Sequence, residues 1–186
     1  MSTRITPAAP PFSASVQAQL QHLSAPGKPA LALFTLMARD ERLFQRLVGG
    51  SLLDKGNLTL RQREIVTDRI TARGGCEYEW GVHVALFKTK AGLSDEQLYS
   101  LVHGGADDAC WSDALERVLI RACDALHDSC TVPPALWAEL VDCLPEAAVL
   151  EVLMVAGFYR TVTYLANATE LPLEPFSARF PPRCAT

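Results

Sequence analysis

The sequence predicts an all-α domain of about eight helices. Apolar residues recur at three- and four-residue spacing through most of the chain, paired capping residues mark helix starts, and strand-type alternation bounded by turns is absent. In order, residues 1–27 read as an N-terminal arm rich in Pro, Ser, Thr and Ala with one short helix. A helical domain follows over 28–170, and 171–186 reads as an extended tail carrying Pro172, Pro175, Pro181 and Pro182. Inside the domain, Leu33, Leu36 and Met37 form one apolar face and Leu43, Phe44, Leu47 and Val48 a second, with Arg39-Asp40 as the break between them. Thr59 with Gln62, and Ser94 with Gln97, are capping boxes: a hydroxyl that accepts an orphan amide, and an amide side chain that reaches back. Between them, Cys76 to Lys90 reads as a helix that starts after Gly74-Gly75 and stops at Gly92. Ala114, Leu115, Val118, Leu119, Ala122 and Leu126 follow the helical template until Pro133-Pro134 begins a new element. Pro145 suits the first turn of the last helix, which runs to about Asn167 and is apolar nearly all round, so it is buried within the chain or between subunits.

The chain of 186 residues is 49% hydrophobic and 20% charged, which suits one domain with a real core. A net charge of -4 without a basic block argues against nucleic acid and anionic membrane surfaces as partners. The longest apolar run, Ala147 to Tyr159, is interrupted by Glu151 and too short to span a bilayer. The N-terminus lacks a secretory apolar run, so a cytoplasmic protein is expected. Its six cysteines, at 76, 110, 123, 130, 143 and 184, form no CxxC pair, and reduced thiols are the default.

The stretch Gly75-Cys76-Glu77-Tyr78-Glu79-Trp80-Gly81-Val82-His83 holds the chemistry. On a helical wheel Glu79 lies about 60° and His83 about 20° from Cys76, so a thiol, a carboxylate and an imidazole share one stripe. Glu79 and His83 are an i,i+4 pair, and a carboxylate bonded to a histidine fixes its tautomer and raises its basicity. The same spacing equally describes a surface pair at the edge of an oligomer contact. Cys76 is open between a reactive thiol and an inert core residue, because Glu77 and Glu79 oppose a thiolate by like charge. Cys123, His127 and Cys130 also share a face, but they lack a fourth ligand and zinc-site spacing, and no metal or cofactor is expected. Trp80, Trp111 and Trp137 lie on apolar faces and read as core; His22 and His103 read as surface or cap residues, and Gly104-Gly105 as a loop.

Over roughly residues 28 to 172 the sequence resembles the carboxymuconolactone decarboxylase family, which includes alkyl hydroperoxidase D. In that family's peroxidase branch a Glu stands twelve residues before a CxxC pair and a His seven after its first Cys. Glu64, Cys76 and His83 stand at those offsets, while the second Cys is replaced by Glu79. Asp124-Ala125-Leu126-His127, Trp137, Gly157-Phe158-Tyr159-Arg160 and Asn167 look like a branch of the family without the dithiol. The resemblance implies an alkyl hydroperoxidase D-like helical fold assembled as a homotrimer or homohexamer. It also implies that Glu64 faces His83 as the outer member of a proton relay. By periodicity alone Glu64 would be a solvated charge or a member of a salt bridge, since it lies opposite Ile65, Val66 and Ile70 among Arg61, Arg63 and Arg69. The leading expectation is acid-base chemistry on a small organic acid or lactone by His83, Glu79 and Glu64. The alternatives are a thiol-dependent peroxidase using Cys76 and a non-catalytic helical oligomer that binds a small ligand.

Overall fold

Helix α4 (Leu60–Arg73) organises the molecule, because α5 (Glu77–Ala91), α6 (Asp95–His103), α7 (Ala114–Ser129) and α9 (Glu146–Thr169) all pack against it. The structure is a computed structural model that describes residues 3–24 and 27–183; Cys184 lies outside the described residues. Before α4 come α1 (Ala14–Leu23), α2 (Ala32–Met37) and α3 (Glu41–Gly49), and α8 (Pro134–Cys143) joins α7 to α9. The described residues thus form nine helices and no strand, one helix more than periodicity counted.

The starts follow the chemistry of the sequence. Both capping boxes form, Thr59 with Gln62 and Ser94 with Gln97. Asp40 caps α3 through the amide of Leu43, and Asp113 caps α7 through the amides of Leu115 and Glu116. Gly92 ends α5 at φ 65°, a left-handed conformation that costs a glycine nothing. Pro145 stands one residue outside the first turn as the cap of α9.

Nine consecutive residues of α4, Arg63 to Thr71, are buried, so its polar side is enclosed as fully as its apolar side. Ile65 and Val66 are fully buried, which is worth roughly 1.5–3 kcal/mol for each side chain. Two arginines of the helix reach partners outside it. Arg61 pairs with Glu116, and Arg63 donates to the carbonyl of Leu53 at 3.0 Å. Glu64 is 1% exposed and paired with Arg63 at 3.2 Å, so the salt bridge is present and the expectation of a solvated charge is corrected: four helices surround α4, and a wheel drawn for one helix cannot show the second contact face.

The arm is tied down rather than loose. Val16 and Leu20 of α1 pack on Phe44 of α3 as a small second core, and Ala8 donates its amide to the carbonyl of Thr35. The tail crosses α5. Ala178 donates to the carbonyl of Gly81 at 3.0 Å, Phe180 donates to Glu77 Oε1 at 2.9 Å, and the Phe180 ring lies 5.1 Å from that of Trp80. Gly81 permits this approach, because a Cβ there would fall 2.2 Å from the carbonyl oxygen of Ala178. Trp80 and Trp111 are core, but Trp137 is 42% exposed, since α8 buries only Leu140 and leaves its other faces to solvent.

The last helix is 24 residues long, and its mean hydropathy of 1.3 over its most apolar stretch is enough, by length and composition alone, to span a membrane. The 13-residue apolar run therefore understated it. Its buried side, including Val149, Val152, Ala156 and Tyr159, belongs to the core around α4, while Leu150 (62% exposed) and Met154 (60% exposed) stand uncovered on the other side.

Candidate functional site

Two i,i+4 pairs on neighbouring helices make the site. Helix α4 presents Glu64 and Asp68, and α5 presents Glu79 and His83, so packing one helix on the other puts three carboxyl groups around one imidazole. His83 Nδ1 lies 2.7 Å from Glu64 Oε2, and Nε2 lies 3.5 Å from Glu79 Oε1. Arg63 donates from Nε to the other oxygen of Glu64 at 3.2 Å and stands over the ring of Phe87. The imidazole meets Tyr159 of α9 edge-on at 4.8 Å between ring centroids and Phe87 at 5.3 Å. Glu64 and Asp68 are each 1% exposed, His83 4% and Glu79 7%, so Glu79 is the member nearest solvent. Glu79 Oε2 and Asp68 Oδ1 are buried with no hydrogen-bond partner among the described residues.

Burial alone would drive the His83 pKa down. The hydrogen bonds and charges of Glu64 and Glu79 outweigh it and push the imidazole up to about 10, so His83 is a cation at neutral pH that donates on both sides. Asp68 shifts in the same direction for a different reason: burial, with the nearby charge of Glu64, holds its carboxyl well above the usual carboxylate range.

The raised His83 pKa has a measurable consequence. Because the folded value exceeds the unfolded value of about 6.5, stabilisation from this contact is complete below that pH and is lost as pH rises through about 10. In an NMR titration the His83 ring should hold its proton past about pH 9. Glu64→Gln should lower the midpoint more than Glu79→Gln, since 2.7 Å separates the first pair and 3.5 Å the second. A midpoint near 6.5 in the unaltered protein would refute the arrangement.

Of the residues singled out from sequence, Glu64, Glu79 and His83 come together, with Glu64 the tighter partner of the imidazole. Cys76 stands apart as the N-cap of α5. It is fully buried, and burial pushes its thiol up to about 11 despite the opposing pull of the Glu79 amide. Since Cys76 precedes the first helical turn, a wheel drawn through it misplaces it. Asp68 and Arg63 were missed; the Glu64 to Asp68 spacing of four was the available signal for the first. The second cluster disperses. Cys123 is buried against the carbonyl of Val66, His127 is engaged by Arg160, and Cys130 caps α7 at φ 56°. No group of three or more His, Cys, Asp or Glu among the described residues is arranged to hold a metal ion. His103, half-buried, donates from Nε2 to the carbonyl of Pro181 in the tail.

Glu64, Cys76, Glu79 and His83 all fall within a stretch that a family model recognises. Residues 41–121 match the carboxymuconolactone decarboxylase family. The matched stretch runs from the start of α3 to the middle of α7 and holds the whole buried cluster. No curated protein matches the sequence. Among solved structures, a peroxidase-related protein from Silicibacter sp. TM1040 superposes with a TM-score of 0.81 at 16% identity, covering 97% of this chain and 98% of its own. The debrominase Bmp8 superposes with a TM-score of 0.74 at 15% identity over 94% of each chain. A protein of unknown function from Agrobacterium tumefaciens, ATU0492, a candidate AhpD antioxidant-defence protein, gives a TM-score of 0.63 at 14% identity over 73% of this chain and 93% of that one. At these identities the likeness is one of fold. It makes the chain's fold the all-helical, alkyl hydroperoxidase D-like one.

Proposed function

We propose that the protein is an acid-base enzyme acting on a small organic acid or lactone, with His83, Glu79 and Glu64 as its proton-handling group. One observation supports this above the others: both nitrogens of a buried imidazole face carboxylates. Glu64, the more deeply buried carboxylate, fixes the ring at Nδ1. That exchanges the roles expected of the two carboxylates, making Glu64 the orienting group. Glu79, the most accessible and with Oε2 unpartnered, is the catalytic residue at which a substrate proton is taken up or released, and His83 supplies or stores that proton through Nε2. Moving a proton at carbon beside a carboxylate or lactone carbonyl serves decarboxylation and isomerisation alike.

The experiment is proton exchange in D2O with a panel of small carboxylated lactones and keto acids. Deuterium should enter beside the carbonyl of an accepted substrate, and Glu79→Gln should slow this by about a hundredfold or more. Exchange that survives Glu79→Gln would overturn the assignment.

The second reading, a peroxidase using Cys76, draws support from the fold neighbour described as peroxidase-related. The debrominase was also captured as a cysteine-to-alanine variant with 2,3,4-tribromopyrrole, so the fold accommodates small rings. Against a thiol reaction here stand the burial of Cys76 and its raised pKa. Assembly belongs to the same proposal: the uncovered Leu150 and Met154 of α9 fit a subunit contact, and sedimentation should show a homotrimer or homohexamer, with a monomer at micromolar concentration refuting it.

A further inference from the structure

Helix α9 places Tyr159 against His83 and the next residue, Arg160, in a groove on its other flank, between α7 and the end of α4. Two adjoining cavities of about 230 and 300 Å³ share His127 and Arg160 as lining residues. The floor of the first is apolar, formed by Ile70, Leu126, Leu153 and Ala156. Asn167 and Tyr164 line the second.

The charges of the groove are unequal. Arg73 at its edge is answered by Asp124 at 3.4 Å and Asp128 at 2.6 Å. Arg160, half-buried, has no carboxylate partner among the described residues: Nη1 donates to His127 Nδ1, Nε donates to the Tyr164 hydroxyl at 3.0 Å, and the guanidinium stands over the Tyr164 ring. A hydrogen bond accepted at Nδ1 puts the proton of a neutral imidazole on Nε2, where it is a donor. Burial, with Arg160 and Arg73, keeps His127 below its usual pKa against the opposite pull of Asp128 and Asp124. The Tyr164 hydroxyl, accepting from Arg160, retains its own hydrogen to donate. The groove therefore offers donors and a positive charge beside an apolar floor, with Asp124 and Asp128 engaged by Arg73 and no carboxylate paired to Arg160 among the described residues.

We propose that this groove binds a small carboxylate carrying an apolar ring or short chain, with Arg160 and His127 Nε2 holding the carboxylate and the apolar body lying on Leu126, Leu153 and Ala156. The site is separate from the Glu64, Glu79 and His83 cluster and stands on its own observations. Arg160 and His127 are family-like motif residues that the acid-base reading does not use.

Calorimetry with benzoate on the full chain tests it, with benzyl alcohol as the uncharged comparator. One benzoate should bind per chain, benzyl alcohol should not, and Arg160→Gln should weaken benzoate by roughly tenfold to a hundredfold, as expected for losing a charged hydrogen bond. Glu64→Gln should leave benzoate binding unchanged. If Arg160→Gln does not fold, the unaltered protein still decides: benzoate should shift the His127 ring resonances in NMR. Absent saturable binding, equal binding of benzyl alcohol, retained affinity in a folded Arg160→Gln, loss of binding in Glu64→Gln, or unmoved His127 resonances would each overturn the site. None of these outcomes bears on the proton-exchange test of Glu79.

Discussion

Replacing Arg69 by methionine should cost about 3–5 kcal/mol of stability, more than any single capping change, because it removes a buried guanidinium that serves three carbonyls and one half of a partly buried ion pair. Arg69 is 4% exposed and holds Asp124 of α7 with two hydrogen bonds, from Nε at 2.7 Å and Nη2 at 2.8 Å. Its Nη1 donates to three carbonyls at the end of α6, of Ser100, Leu101 and Gly104, at 3.3, 2.8 and 3.1 Å. One side chain thus binds α4 to α7 and supplies donors to carbonyls at the C-terminus of α6, where the Ser100 carbonyl also accepts from the Gly104 amide. Methionine restores much of the volume but none of the donors, so the loss isolates hydrogen bonding from packing. For a chain of this size the melting temperature should fall by roughly 6–20 °C. Asp124→Asn should cost less, because an amide oxygen can still accept from Arg69 and Asp124 is partly exposed beside Arg73. Equal losses in the two variants would show that the ion pair, and not the capping of α6, carries the effect. A near-neutral Arg69→Met in a thermal melt would refute the argument.

The same residue shows where sequence reading reached its limit. Local chemistry was legible: the capping boxes at Thr59 and Ser94 and the stop at Gly92 depend on residues within four positions of each other, and all three form. The pairing of Glu79 with His83 was legible for the same reason, being one helical turn. What the sequence concealed were polar residues whose partners lie far away. Arg69 and Asp124 are 55 positions apart, as are Arg61 and Glu116, and nothing in the spacing announces either pair. Glu64 and His83 meet only because α4 packs on α5, and a wheel assigns Glu64 to solvent because it assumes that a helix has one buried face. Asp68 was hidden by the same assumption. The family resemblance found Glu64 because it preserves an outcome of packing that periodicity cannot compute. Trp137 erred in the other direction: an apolar residue on a short helix with one buried leucine had no core to enter.

The decisive measurement for the site contrasts His83→Gln with Cys76→Ser. In the acid-base reading His83 keeps Glu79 supplied with a proton, so glutamine, which cannot exchange one, should reduce turnover of an accepted substrate by about a hundredfold or more. Cys76→Ser should change it by only a small factor. Its thiol is fully buried, its pKa is pushed up to about 11, and its hydrogen bonds run to Thr163 and the amides of Tyr78 and Glu79, so a nearly isosteric hydroxyl disturbs little of the relay. A peroxidase would invert the order, because a serine hydroxyl cannot be oxidised to a sulfenic acid and returned by a second thiol. There, Cys76→Ser would end peroxide consumption while His83→Gln merely slowed it. Thiol-coupled peroxide loss is measurable before any organic substrate is known, so the peroxidase arm can be run first. Rapid peroxide reduction by the unaltered protein, abolished in Cys76→Ser, would displace the acid-base assignment. It would also require the helix start at Cys76 to open, since a thiol held neutral and shielded from solvent cannot attack peroxide at a useful rate. Hydrogen exchange at the amides of Tyr78 and Glu79 would detect that opening directly.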